Sequence, residues 1–316
     1  MRLFIDWSFI ALLLVCVLCL FTGCASTSKI QQETHYTAHK DLSYGDHERN
    51  VLDVSIPDGQ TPEGVILFIH GGIWMYGDKN DRPLFLDVFR DRFVVASMNH
   101  RYIDETTHIG DLVEDVGSAV AYIRNFCEER GVDVGNLIIM GHSSGAHLSM
   151  LYAYSHYETS PIPVAFCVDM AGPADLSDIA FLYNFKKLRW LKLFYQVAEK
   201  ATGYHPQEGD ITDEGYSETG QSLMDAISPL SFVSRVTPPT IIVHDVSDNI
   251  VPYSNSATLH GVFNVYGVDH SFIALYSGIG HILGAKKVKG GGLRYNEALE
   301  IRLVKAMNEY IEKYCK

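Results

Sequence analysis

The sequence predicts an α/β fold, with a mostly parallel central sheet flanked by helices, from two observations. Short, almost wholly apolar runs recur along the chain, as in strands that are covered on both faces; they span residues 65–69, 93–98, 137–140, 165–170 and 240–244. Segments with helical periodicity separate these runs. A repeated order of strand and then helix places the strands parallel in one sheet, with the helices packed on its faces.

The elements outside the central runs follow the same scheme. Leu52, Val54 and Ile56 alternate with more polar residues, which predicts a half-exposed strand ahead of the first apolar run. Apolar residues recur at three- and four-residue spacing over 112–126 and again over 296–314, which predicts two amphipathic helices. At 316 residues the chain can bury a large core.

Residues 175–226 break this alternation. Their first half is rich in aromatic and basic side chains and their second half is polar and acidic. We predict that this segment is a cap-like insertion over the active edge of the sheet, since functional loops gather there.

The N-terminal residues have a different character. Arg2 lies near the terminus and an unbroken apolar run extends from Phe9 to Phe21. Phe21-Thr22-Gly23-Cys24 resembles the lipobox of bacterial lipoproteins, in which the cysteine is acylated. We therefore predict a lipoprotein signal peptide over 1–23, a lipid anchor on Cys24, a flexible tether over 24–40 and a catalytic domain over 41–316. This predicts a protein exported to the bacterial cell envelope and held at a membrane; the alternatives are an uncleaved anchor or an ordinary signal peptide.

Charge and cysteine spacing argue against nucleic-acid binding, a disulfide framework and a zinc site. Lys and Arg number 25 against 38 Asp and Glu, a net charge of −13, which disfavours nucleic-acid binding. Beyond Cys24 only Cys127, Cys167 and Cys315 remain, an odd and widely spaced set that predicts neither a disulfide framework nor a zinc site.

A strand over 137–140 runs into Gly141-His142-Ser143-Ser144-Gly145, and a helix is predicted to follow. Glycines on either side let the chain turn sharply enough to hold a serine hydroxyl out of the turn. Ser143 is therefore the candidate nucleophile. The alternative is a serine that only caps the helix.

A serine nucleophile needs a base and a carboxylate that orients it, and in this fold both follow the serine. Asp248 lies in the loop after the strand over 240–244, whereas its competitor Asp245 follows that strand directly. His281 lies in a loop after the apolar segment 272–276, whereas the alternative His270 precedes that segment and would lie at the opposite end of the sheet.

The predicted strand over 65–69 is followed directly by His70-Gly71-Gly72-Ile73. Glycines let backbone N–H groups approach a substrate oxygen, so the N–H groups of Gly72, Ile73 and Ser144 form a candidate oxyanion hole. A tight turn without such a role is the alternative.

Taken in order, these segments resemble the α/β-hydrolase superfamily, in particular its carboxylesterase branch of feruloyl and acetyl-xylan esterases and hormone-sensitive-lipase-like enzymes. The resemblance runs from about residue 40 onward and rests on the segments 70–74, 77–79, 99–102, 141–145, 228–230, 244–252 and 280–281. It implies that Ser143 is the nucleophile, His281 the base and Asp248 the acid. Two residues depart from the pattern: Ile73 replaces a third glycine, and Asp245 replaces the glycine that usually follows His244.

The resemblance implies a serine hydrolase that cleaves a small-molecule or carbohydrate ester through an acyl-enzyme, with no metal or organic cofactor. An amidase, arylformamidase or peptidase with the same triad is one alternative. A non-catalytic surface lipoprotein is another. The sequence predicts no oligomeric state and does not identify the acyl or alcohol group.

Overall fold

The computed structural model describes residues 35–187, 191–205, 207, 209–212 and 214–315. The predicted signal peptide, Cys24 and residues 25–34 of the predicted tether lie outside the described residues. Within the described part of the chain, no helix combines the length and the apolar character needed to cross a membrane.

An eight-stranded sheet forms the centre of the domain, in the order β1-β2-β4-β3-β5-β6-β9-β10. Its strands are β1 (Tyr36–Ser43), β2 (Val51–Pro57), β3 (Val65–Ile69), β4 (Val94–Met98), β5 (Leu137–His142), β6 (Val164–Met170), β9 (Thr240–Asp245) and β10 (His270–Leu275). The strands from β4 to β10 pair in parallel, and β1 and β2 are added antiparallel at one edge.

Helices cover both faces of this sheet. They are α1 (Ile109–Glu128), α2 (Ser144–Ser155), α3 (Ile179–Lys187), α4 (Leu191–Thr202), α5 (Glu218–Ala226), α6 (Tyr253–Tyr266) and α7 (Glu297–Tyr314), with short 3₁₀ segments at Lys79–Asp81, Leu84–Phe89 and Pro229–Phe232. Two apolar cores result, one on each face, and every residue of β3 and β4 is buried between them. The predicted fold class is therefore confirmed.

The start of the domain differs from the predicted boundary at residue 41. Residues 36–40, assigned to the tether, belong to β1 and pair with β2. The exposed, polar side chains of this edge strand gave the sequence the appearance of a linker, because edge strands carry little apolar surface.

The predicted insertion lies between β6 and β9. It contains α3, α4, a two-residue hairpin formed by β7 (Ile211–Thr212) and β8 (Gly215–Tyr216), and α5. Two further short strands, β11 (Lys286–Lys287) and β12 (Leu293–Arg294), form a hairpin after β10 that the sequence analysis did not predict.

The connection from β5 to α2 depends on close backbone contact. A Cβ atom at Gly145 would lie 2.1 Å from the carbonyl oxygen of Ile69 and 2.4 Å from that of His70. A Cβ atom at Gly141 would lie 2.2 Å from the carbonyl carbon of Gly145. The first turn of α2 therefore packs directly on the end of β3, which only residues without a side chain allow.

We expect Gly145→Ala to lower the free energy of unfolding by about 3 kcal/mol, because two carbonyl groups would have to move to admit one methyl group. Gly110→Ala is the matched control, since a Cβ atom at this helical position meets nothing within 4 Å. It should raise stability by up to about 1 kcal/mol. Urea denaturation of both variants measures the difference, and equal stabilities would contradict this packing.

Candidate active site

Three side chains from separate loops form a continuous hydrogen-bonded chain. Ser143 follows β5, Asp248 follows β9 and His281 follows β10, so all three lie beyond the carboxyl ends of parallel strands, where ligands bind in such sheets. Nε2 of His281 is 2.8 Å from Oγ of Ser143, and Nδ1 of His281 is 2.7 Å from Oδ2 of Asp248. The three candidates that the sequence named therefore meet in hydrogen-bonding geometry.

Ser143 has a strained backbone. Its φ of 56° and ψ of −125° lie outside the regions that L-residues normally occupy, as expected for a serine on a sharp strand-to-helix turn. Its N–H donates to the carbonyl of Met170 and its carbonyl accepts from the N–H of His147. These bonds and the contacts of Gly145 with β3 hold the turn in place.

Asp248 is buried and ionised. Burial opposes its charge, but hydrogen bonds from His244 and His281 hold the pKa of this carboxyl below its ordinary value. Its Oδ1 also accepts the N–H groups of Ile250 and Val251 at 2.8 and 3.0 Å. The charge on Asp248 thus faces the imidazole of His281 from a fixed position, which favours the tautomer with the proton on Nδ1.

The two alternatives from the sequence have other partners. Asp245 accepts hydrogen bonds from the backbone N–H and the hydroxyl of Ser247 and from the hydroxyl of Ser277, so it ties two loops together. His270 is the first residue of β10, and its ring bonds to His260 and the carbonyl of Val268. It lies at the opposite end of the strand from His281.

His142 holds the loop that carries the base. Burial and the neighbouring imidazole of His281 lower the pKa of His142 to about 4, so its ring is neutral. Nε2 lies 2.9 Å from the carbonyl oxygen of His281, which requires that this nitrogen carries the proton. The variable residue of the G-x-S-x-G motif thus donates to the main chain of His281.

The loop after β3 has three consecutive residues with positive φ: Gly72 at 128°, Ile73 at 48° and Trp74 at 60°. This conformation is rare for a β-branched residue such as Ile73. The loop lies against the nucleophile, since a Cβ atom at Gly71 would be 3.2 Å from Cβ of Ser143. No backbone carbonyl among the described residues accepts a hydrogen bond from the N–H of Gly72 or of Ile73.

His147 in α2 holds the loop after β3 in place through a hydrogen bond to Trp74. Burial lowers the pKa of His147 to about 4, and the neutral ring donates from Nε2 to the carbonyl of Ile227 at 2.8 Å. Nδ1 is then free to accept the indole N–H of Trp74, 3.2 Å away. One neutral histidine therefore connects the loop, the first turns of α2 and the end of the insertion.

Arg49 and two further segments on which the resemblance rests, 77–79 and 99–102, support the same loop. Arg49 lies over the ring of Tyr102, with its guanidinium carbon 3.7 Å from the ring centroid, and donates to Nε2 of His70. The Tyr102 hydroxyl donates to the carbonyl of Gly77 at 2.7 Å. A Cβ atom at Gly77 would lie 2.2 Å from the carbonyl oxygen of Gly71, so this position also excludes a side chain.

A cavity of about 410 Å³ opens beside Ser143 and His281. Its walls are mostly apolar and include Phe68, Ile73, Leu193, Ile250, Ile282 and Leu293. Cavities of this size with a few polar groups are typical of small-molecule sites. Leu193 belongs to α4, so the insertion contributes to the wall of the cavity, as its predicted position implies.

The polar end of this cavity was missed by the sequence analysis. It contains Asp81, which pairs with Lys287 at 2.8 Å, and Tyr295, whose buried hydroxyl has no hydrogen-bond partner among the described residues. Burial raises the pKa of Tyr295, so the hydroxyl keeps its proton. The β11–β12 hairpin brings the segment that contains Tyr295 to the site, where the N–H of Leu293 donates to the carbonyl of Arg82. In the sequence, only the glycine run at 290–292 pointed to this hairpin.

The acidic, histidine and cysteine side chains of the described residues form no group suited to a metal ion. Cys127 and Cys167 are buried free thiols and Cys315 is a partly buried one. Burial raises the pKa of both buried thiols, which makes them poor nucleophiles.

The sequence is similar to those of known proteins. The family model BD-FAE matches residues 52–263, which is more than half of the chain. An isoprenylcysteine α-carbonyl methylesterase of Arabidopsis thaliana is 26% identical over 255 residues, which cover 77% of this chain and 56% of the relative. A probable carboxylic ester hydrolase, LipM of Mycobacterium tuberculosis, is 27% identical over 235 residues, which cover 69% and 49%. The chain thus spans about half the length of these curated relatives.

The fold also matches solved structures. A truncated carbohydrate esterase from gut microbiota superposes with a TM-score of 0.64 at 21% sequence identity, over 90% of this chain and 98% of that one. The family match ends before His281, so the placement of this histidine rests on the geometry described above. The chain belongs to the BD-FAE family and has the α/β-hydrolase fold.

Proposed function

We propose that this protein is a serine hydrolase that cleaves carboxylic esters through an acyl-enzyme. The observation that carries the proposal is the continuous chain from Ser143 Oγ through His281 to the ionised carboxylate of Asp248. The esterase names of its relatives support an ester as the substrate. An alcohol becomes an effective nucleophile only when such a base takes its proton in the reaction.

In the proposed first step, Ser143 Oγ bonds to the ester carbonyl carbon while its proton passes to Nε2 of His281. Asp248 stabilises the resulting imidazolium. The negative charge that develops on the carbonyl oxygen is met by the N–H groups of Gly72, Ile73 and Ser144. When the carbon–oxygen bond to the alcohol breaks, His281 returns the proton to the departing oxygen, and water later releases the acyl group by the same steps.

These steps assign sides to the cavity. The alcohol must depart beside His281, because this residue protonates it. Ile282 follows His281 in the chain, and the ring of Tyr295 lies 5.9 Å from that of His142, which is 5.3 Å from the ring of His281. The unpaired Tyr295 hydroxyl and the carboxylate of Asp81 suit an alcohol that carries further hydroxyl groups, as in a carbohydrate ester.

We also propose that the protein is exported and held at a bacterial membrane by a lipid on Cys24. This proposal rests only on the apolar run and the lipobox-like residues 21–24 of the sequence. The catalytic domain would then act at the surface of the membrane that holds the anchor.

Replacement of the nucleophile tests the enzymatic proposal. We expect Ser143→Ala to reduce kcat for a short-chain nitrophenyl ester by about a million-fold, as when a triad nucleophile is lost. Ser118→Ala, on the exposed face of α1, is the matched control and should retain full activity. Parallel assays with a formamide and a dipeptide compare ester with amide cleavage. Turnover retained in Ser143→Ala would reject the assignment, and faster cleavage of the formamide would favour an amidase.

Metabolic labelling with a radioactive fatty acid tests the anchor. The full-length protein, expressed in a bacterium, should incorporate the label, whereas Cys24→Ser should not, because it lacks the thiol to which the lipid is attached. Cys315→Ser is the control and should be labelled like the unaltered protein. Equal labelling of the Cys24→Ser variant would disprove a lipid at this position.

A further inference from the structure

A second, smaller cavity lies next to the active-site cavity. It has a volume of about 50 Å³ and lies between the loop after β3, residues 70–77, here called the oxyanion loop, and the helices of the insertion. Its described lining is entirely apolar or aromatic, and the one polar side-chain atom there, Nε1 of Trp74, is already bonded to His147. Such a lining offers water almost no hydrogen-bond partners and favours apolar groups.

Two residues line both cavities. Ile73 and Leu193 line both, so these two side chains form the partition between them. Ile73 belongs to the loop that carries the oxyanion donors, and Leu193 is a partly exposed residue of α4. A leucine side chain can change rotamer without any movement of the backbone. The partition can therefore open at Leu193 while the loop that contains Ile73 stays in place.

The position of the second cavity fixes which part of the substrate it faces. The alcohol leaves on the side of His281, where Ile282 and Tyr295 lie. The second cavity adjoins the first at Ile73 and Leu193, and its lining includes none of the residues assigned to the alcohol side, His281, Ile282 and Tyr295. A chain that extends from the carbonyl carbon toward Ile73 belongs to the acyl group.

We infer that the second cavity receives the distal methylene groups of the substrate's acyl chain, with Leu193 as a side-chain gate. This inference rests on the proposed function and names its acyl specificity. An empty apolar cavity costs stability because its lining atoms lose contacts, and an acyl chain that enters it restores those contacts. Ile73 therefore acts as a specificity-determining residue at the entrance.

Filling the cavity from its far side tests this assignment. Ala198 and Ala201 are buried residues of α4 that line the second cavity and not the first. For Ala198→Val, the ratio of kcat/KM for nitrophenyl hexanoate to that for nitrophenyl acetate should fall by about fourfold for each methylene group excluded. Activity toward the acetate should be unchanged. Gln196→Val, an exposed position of the same helix, is the matched control and should leave the ratio unaltered.

Opening the partition should have the opposite effect. Leu193→Ala should raise the ratio of kcat/KM for the octanoate to that for the hexanoate, since more of the chain can then enter. Ala201→Val provides a second filling variant if Ala198→Val is too unstable to assay. If both filling variants leave the hexanoate to acetate ratio unchanged, or reduce both activities equally, the cavity is only a packing gap and the inference is wrong.

A binding measurement separates this inference from the proposed function. In a Ser143→Ala background, which cannot form the acyl-enzyme, calorimetry with ethyl hexanoate should show binding that Ala198→Val weakens, while ethyl acetate should show no difference. Equal binding of ethyl hexanoate to both proteins would overturn the inference. Absence of Ser143-dependent turnover in the unaltered protein, together with the expected binding difference, would overturn only the proposed function.

Discussion

Contact between the first turns of α2 and the end of β3 is the constraint on which the site depends. Ser143 occupies a backbone conformation that costs about 1–3 kcal/mol, and such strain persists only where the surroundings determine it fully. The carbonyl groups of Ile69 and His70 leave no room for a side chain at Gly145. With α2 pressed this closely onto β3, the turn that carries Ser143 has no relaxed alternative.

The same helix controls the second strained segment. His147, one turn beyond Ser143, accepts the indole N–H of Trp74 and donates to the carbonyl of Ile227. Acceptance of the indole N–H by Nδ1 requires a neutral ring, and burial lowers the pKa of His147 far enough to keep it neutral. The turn at Ser143, the loop after β3 and the end of the insertion are therefore positioned together by one short helix. Preorganised donors of this kind stabilise developing charge without reorganisation during the reaction.

Apolar runs and their order were sufficient to predict the central sheet and the residues that meet at its edge. Parallel strands buried on both faces leave few other arrangements, and loops after successive strands must then converge. Of the two acids after the apolar run, Asp248 bonds to His281, whereas Asp245, the last residue of β9, bonds to Ser247 and Ser277. Residues 36–40 were misplaced since an exposed edge strand lacks an apolar pattern.

The contributions of Asp81 and Tyr295 could not be predicted. They lie far apart in the chain, and a bridge between Pro83 and Leu293 brings their segments together. Such a contact depends on tertiary packing and leaves no periodic signal. The apolar cavity behind Ile73 likewise arises from how α4 and α5 pack on the loop, which no single segment encodes.

Reaction with a fluorophosphonate, followed by mass spectrometry of the peptides, tests most directly whether the three groups act as one unit. We expect a single adduct on Ser143, slow labelling of Asp248→Asn, and labelling of Asp245→Asn at a rate close to that of the unaltered protein. In a protease with this triad, the equivalent loss of the carboxylate reduced turnover about ten-thousand-fold. An adduct on another residue, or equal labelling rates for the unaltered protein and Asp248→Asn, would contradict this expectation.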